Sequence, residues 1–256
     1  LLIHADWYER FGDRAYLAEQ AEYLHALLSQ IATRVDAHGE ERLDGHRFLE
    51  WPTARDPAAI DAGLQALVAL SLERGAFLLR ALDDPAAGRY DALAARMRAI
   101  ARPNASKQAT ALQVLAGMAD PAAANASVLA VDPFRGLSTF YGYYVLQARA
   151  AAGDIDGCLE LIRTYWGGML DMGATSFWEG FEIDWMENAT GIDEMPEPGR
   201  PDIHADFGDH CYVGLRHSLC HGWAAGPTAW LSEWVLGVRV AADDQGVRVT
   251  VAPNLG

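Results

Sequence analysis

Residues 56–82 read DPAAIDAGLQALVALSLERGAFLLRAL, and this stretch limits the fold more than any other part of the chain. Asp56 offers a side-chain acceptor to the free N–H groups of a first helical turn. Pro57 suits the first helical position because its missing N–H has no partner there anyway. The leucines, alanines and valine that follow fall on more than one helical face, so a helix running to about Leu82 has to be covered on two sides. Such a helix forms only inside an array of other helices.

The rest of the chain supplies that array. After Asp13, a good N-cap, Leu17, Ala21, Leu24, Leu28, Ile31 and Val35 recur at steps of three and four. They predict one helix closed by Gly39. Asp84-Pro85 opens another toward Ala101, and further helices are expected near 107–118, 121–130, 137–152 and 154–170, with Gly153-Asp154 as a stop and a start. A last apolar helix is expected over about 218–236, ending at Gly237, although Gly226-Pro227 inside it points to a start near Pro227. Short connections favour antiparallel hairpins, hence a layered or toroidal arrangement. The end of the chain changes character. VRVAADDQGVRVTVAP alternates apolar and polar residues about a Gln-Gly pair, which predicts a β-hairpin and the opening of a β domain.

Composition narrows the function. The formal charge is −15 and Lys107 is the single lysine. Phosphate backbones are held by basic side chains that displace counterions, so nucleic acid is excluded, as are anionic membranes. An uncharged sugar is not disfavoured by this field. No run of about 18 uncharged apolar residues occurs, which excludes a spanning segment. Cys158, Cys211 and Cys220 lack C-x-x-C spacing, so neither a disulfide framework nor a zinc site is expected. No metal or other cofactor is expected. The opening LLIHADWYERFGD has no Met and no leader-like pattern, and reads as a piece of something longer. Compartment and oligomeric state are left open.

The most unusual local stretch is GATSFWEGFEIDW, residues 173–185. Glu179 follows Phe177-Trp178, and aromatic neighbours that strip water from a carboxylate favour proton transfer near neutral pH. Ser-Phe-Trp-Glu is also the S-x-x-E pattern of a capping box, which would make Glu179 an ordinary helix-start acid. Trp51, in FLEWPT between two long helices, either plugs the core or offers an indole face and N–H to a ligand. His217 and His221 stand four residues apart, one helical face if the segment is helical. Without an H-E-x-x-H pattern they do not point to a metal. The acids Glu182, Asp184, Glu187, Asp193, Glu194, Asp202, Asp206 and Asp209 lack calcium-loop spacing and read as a solvated acidic loop.

Together GATSFWEGFEIDW, the later RHSLCHGWAAGPTAWLSEWVLGV and the ending VRVTVAPNLG resemble the C-terminal half of the catalytic domain of glycoside hydrolase family 78, the bacterial α-L-rhamnosidases. DWYERFGDRAYLAEQ and HRFLEWPT resemble upstream segments of that family in the same order. The resemblance implies an all-α (α/α)6 toroid, the six-hairpin glycosidase fold, incomplete here. Residues 1–237 would form part of the barrel and 238–256 the start of a C-terminal β-sandwich. It also implies inverting hydrolysis of terminal α-L-rhamnosyl linkages in a rhamnose-containing oligosaccharide or glycoside. Glu179 takes the place of the general base, His221 that of a sugar-contacting histidine, and Trp51 and Trp178 those of pocket-lining residues. Glu50 stands where many relatives carry Asp, and the segment between Glu179 and His221 is longer than in many of them. The family's general-acid motif lies upstream of the first residue, so a chain of this extent is expected to be a poor catalyst alone. Two other readings remain: a non-hydrolytic carbohydrate-binding toroid, or a six-hairpin exo-glycosidase for another sugar.

Overall fold

The computed structural model describes residues 1–100, 102–195, 197–199, 202, 218–243 and 246–254. The stretch around Asp56 behaves as its sequence requires: α4 runs over Pro57–Ala81, and the Asp56 carboxylate accepts from the Ala59 N–H at 3.1 Å. Its buried residues, among them Leu64, Val68, Leu72, Ala76 and Leu79, lie on several faces. Among the described residues it is the one helix long and apolar enough to cross a membrane by length and composition, and 67% of its most apolar window is buried inside the protein. It is a core helix.

Before it come α1 (Leu2–Phe11), α2 (Arg14–Glu19) and α3 (Ala21–Ala32). After it come α5 (Ala87–Arg98), α6 (Lys107–Leu115) and α7 (Pro121–Ala124), the last continuing as a π-helical turn over Asn125–Leu129. Then follow α8 (Gly142–Ala151), α9 (Ile155–Leu161), a second π turn over Ile162–Trp166, and α10 (Gly167–Asp171). A short α11 (Trp185–Asn188), a 3-10 turn (Gly222–Ala224) and α12 (Gly226–Trp230), extended by a third π turn over Leu231–Val235, complete the helices. Caps recur where side chains permit them. Ser106 accepts from the Ala109 N–H, Asp120 from Ala123 before Pro121, and Asp154 from Gly157; each satisfies one of the donors a helix start leaves open.

These helices alternate in the array. α4 packs against α1, α3, α5 and α6; α6 against α4 and α8; α8 against α6 and α12. The intervening α5, α7 and α9 lie against these same helices. Two cores follow the layering, one around Leu28, Leu72, Leu79, Tyr90 and Met97, the other around Leu146, Leu161, Tyr165, Trp166, Trp178 and Trp230. Each fully buried Leu or Met contributes about 1.5–3 kcal/mol relative to exposure. At the end of the chain β1 (Val238–Asp243) and β2 (Gly246–Val251) pair antiparallel, Val240 opposite Val249. Gly237 joins α12 to β1 at φ +66°, where a Cβ would stand 1.9 Å from the Ala252 carbonyl oxygen. No side chain fits there.

Several expected boundaries move. The helix expected from Asp13 to Gly39 is two helices with a break at Gln20, whose N–H is shared between the Tyr16 and Leu17 carbonyls. It also ends earlier, at Ala32. Gly39, at φ +90°, serves a tight turn closed by Asp36, whose carboxylate accepts from the His38 and Glu40 N–H groups. α8 starts at Gly142 and not at 137, and the last helix starts at Gly226. Residue Gln245, expected in the hairpin turn, lies outside the described residues.

Candidate functional site

Glu179 is not in a helix, so the capping-box alternative does not apply. The segment around it is held by residues some forty positions away. Its N–H donates to the Ser218 carbonyl at 2.9 Å, and the His221 N–H donates to the Phe177 carbonyl at 2.8 Å. Its carbonyl accepts from the Thr139 hydroxyl, just ahead of α8, and from the Trp223 indole N–H at 2.8 Å. Both backbone polar groups of Glu179 are therefore engaged, which fixes where its side chain starts. The carboxylate is turned too. Oε2 accepts from the Ser218 N–H at 2.9 Å and lies 4.0 Å from His221 Nδ1. The side chain is 18% exposed and that of His221 33%.

His221 sits in extended backbone at φ −134°, ψ 109°, immediately before the 3-10 turn. The four-residue spacing to His217 therefore does not place the pair on a helix face, and His217 itself lies outside the described residues. The imidazole centroid is 4.2 Å from that of Trp223.

Trp178 is fully buried, edge-on to Phe181 in the large core cluster. It supports the Glu179 loop from behind. The same backing includes Tyr165, whose hydroxyl donates to the Phe181 carbonyl, and Trp166, whose indole N–H donates to the Ala224 carbonyl at 3.0 Å. Burial pushes the Tyr165 phenol well above its ordinary value, and the charges of Glu182 and Glu50 add to this. It acts as a hydrogen-bond donor only. Tyr165 and Trp166 stand in the π turn that joins α9 to α10, a distortion that often accompanies functional sites.

Trp51 is 62% exposed in the turn after Leu49-Glu50, its ring edge-on to Phe48. Leu49 packs in one cluster with Tyr141, at the start of α8 beside Thr139. Glu50 is buried, and burial followed by the Glu50 charge raises the Tyr141 phenol. The Trp51 loop and the Glu179 loop thus both attach to the residues just before α8.

Two aromatic residues that the sequence did not single out complete this end. Phe140 and Trp223 are 38% and 36% exposed, with ring centroids 5.7 Å apart and planes tilted by 30°. Trp223 could have been noticed two residues after His221; Phe140 carries no local signal. Among the described residues no group of three His, Cys, Asp or Glu side chains is placed to hold a metal ion. The arrangement offers a fixed carboxylate, a neighbouring imidazole and open aromatic faces, which suits proton transfer beside a ligand with apolar C–H surface.

No protein-family model and no curated protein sequence matches the chain. Solved structures do. The α-L-rhamnosidase of Streptomyces avermitilis, complexed with L-rhamnose, superposes with a TM-score of 0.71 at 18% identity over 97% of this chain and 24% of its own. The GH78 family rhamnosidase of Bacillus sp. GL1 gives 0.68 at 21% identity over 98% of this chain and 27% of its own. A rhamnosidase from Klebsiella oxytoca with rhamnose bound gives 0.58 at 20% identity over 85% and 41%. The chain thus spans about a quarter of the length of the first two structures. Over nearly all of its own length, it has the fold of the α-L-rhamnosidases.

Proposed function

We propose that the chain is part of an inverting glycosidase for terminal α-L-rhamnosyl linkages, with Glu179 as general base. The observation that carries the reading is the Glu179 carboxylate, oriented by the Ser218 N–H and anchored through Thr139 and Trp223, in a fold shared with rhamnosidases. In this role the carboxylate removes a proton from a water beneath the anomeric carbon while a second carboxyl, roughly 6.5–9.5 Å away, protonates the leaving oxygen. That acid comes from outside these 256 residues. His221, beside the carboxylate, orients the sugar through its ring nitrogens. Trp51 offers an exposed indole to the same ligand from the other loop, and Trp178 shapes the pocket by holding the Glu179 loop in place. The helical part, residues 1–237, belongs to an (α/α)6 toroid in which α4, α6, α8 and α12 are successive inner helices. Residues 238–256 open a β-sandwich.

The test is Glu179→Gln in the complete protein. The amide keeps the size of the side chain and an acceptor for the Ser218 N–H but is not a base at neutral pH. Hydrolysis of an aryl α-L-rhamnoside should fall by about 10²–10⁴-fold, the usual contribution of a positioned base, with an unchanged circular dichroism spectrum. Near-normal turnover would remove Glu179 from the role. Rhamnose binding by a parent protein that never turns substrate over would favour the non-hydrolytic reading.

A further inference from the structure

We infer that Phe140 and Trp223 form an apolar wall that selects a sugar carrying a methyl group, and no hydroxymethyl, at C5. The inference rests on the glycosidase reading and goes beyond it to the specificity of the same site. Trp223 lies between the imidazole of His221 and the ring of Phe140, and both wall residues are more than one third exposed beside a carboxylate that is mostly covered. An exposed indole usually brings a donor with it. Here the Nε1–H is already bonded to the Glu179 carbonyl at 2.8 Å, and the Thr139 hydroxyl next to Phe140 is bonded to the same carbonyl. The two polar groups best placed to serve a ligand hydroxyl are thereby engaged. What the wall presents is carbon.

A C5 hydroxymethyl group laid on that surface gives up hydrogen bonds to water without replacement, whereas a methyl gives up none and gains contact with two rings. The discrimination available to an apolar surface of this kind is modest, about 10–200-fold for a single methylene or hydroxyl. Three ligands isolate the effect, because L-rhamnose, L-lyxose and L-mannose in their pyranose forms share the C2–C4 stereochemistry. They differ at C5, which bears methyl, hydrogen and hydroxymethyl respectively.

The experiment compares kcat/KM of the complete protein for the three p-nitrophenyl α-L-glycosides, in wild type, Phe140→Ala and Trp223→Phe, with melting curves to confirm folding. Wild type should favour the rhamnoside by about tenfold or more over both others. Phe140→Ala should bring the methyl-to-hydrogen ratio below about threefold by opening one side of the wall. Trp223→Phe keeps a ring and should preserve most of that ratio while lowering all three rates together, because the Glu179 carbonyl loses a donor. A methyl-to-hydrogen ratio that stays unchanged in Phe140→Ala overturns the inference, whatever the absolute rates. If Phe140→Ala does not fold, Phe140→Leu, which keeps bulk but not the ring, serves the same comparison. If no glycoside is hydrolysed, calorimetric affinities for the three free sugars supply the ratio. Failure of the base assignment shows instead as full activity in Glu179→Gln, which leaves these ratios untouched.

Discussion

Replacing Gly226 by Ala should destabilise the protein although alanine is the better helix former. Gly226 begins α12 where it crosses the first turn of α8, and an added Cβ would lie 2.6 Å from the Tyr143 Cβ and 3.2 Å from its Cα. Two carbons pack best at about 3.5–4.0 Å, so the new methyl intrudes by roughly 1 Å against atoms that cannot rotate away. Overpacking of this kind costs about 1–3 kcal/mol. Pro227 follows directly, and a residue with a Cβ is disfavoured in helical conformation before proline. Opposing both is the gain of about 0.4–1 kcal/mol expected from any compatible Gly→Ala change through the unfolded chain. The clash wins by about 1–2 kcal/mol, which for a chain of this size lowers the melting temperature by roughly 2–8 °C. Gly167→Ala is the internal control. Gly167 sits within the continuous helical run from α9 to α10, and nothing lies within 4 Å of its added Cβ, so its melting temperature should rise by about 1–4 °C. Scanning calorimetry on the two variants and wild type decides the matter. A Gly226→Ala protein as stable as wild type, beside a stabilised Gly167→Ala, would refute the close approach of α8 and α12.

Trp166→Phe leaves the buried Ala224 carbonyl without the indole donor, and should cost about 1–3 kcal/mol in urea unfolding with an unchanged slope. The Arg149–Asp154 pair predicts an acid-sensitive stability. Burial opposes the charge on Asp154, but the Arg149 guanidinium, Asn125 and the Gly157 N–H outweigh it and hold the carboxyl below its usual range. A depressed carboxyl stabilises the fold above the ordinary aspartate value of about 3.9 and loses that contribution as pH falls through the folded value. Asp154→Asn should therefore be less stable than wild type at pH 7 and show a flatter decline below about pH 4 in pH-dependent melting curves. Of the two described cysteines, Cys220 is exposed while burial pushes the Cys158 thiol up to about 12. Iodoacetamide at pH 8 should label Cys220 and spare Cys158 in peptide mass mapping; equal labelling would contradict the packing around Cys158.

The helices were readable wherever their ends are set by local chemistry. Asp56-Pro57 marks α4 to the residue because cap and first-turn proline act within four positions. Gly153-Asp154 divides α8 from α9 for the same reason. The break at Gln20 was not readable, since the apolar spacing runs through it without a glycine or proline to mark it. At the site, the Ser176–Glu179 pattern is locally ambiguous. What decides it is the pairing of Phe177 and Glu179 with His221 and Ser218, partners that no local window contains. His221 and Glu179 were recognisable as chemistry-bearing residues, and the structure adds that they adjoin. Trp178 illustrates the opposite limit: sequence cannot tell a buried supporting indole from an open one, and the open one beside Glu179 is Trp223.

The bond from the Trp223 indole to the Glu179 carbonyl has an engineering consequence. It makes the carboxylate and the ring beside it one mechanical part, so a substitution at position 223 changes ligand preference and the aim of the carboxylate together. Phe140 has no such bond to Glu179 among the described residues. Attempts to redirect the site toward other sugars have an independent adjusting screw at position 140, and a library that varies it should retain turnover more often than one that varies 223.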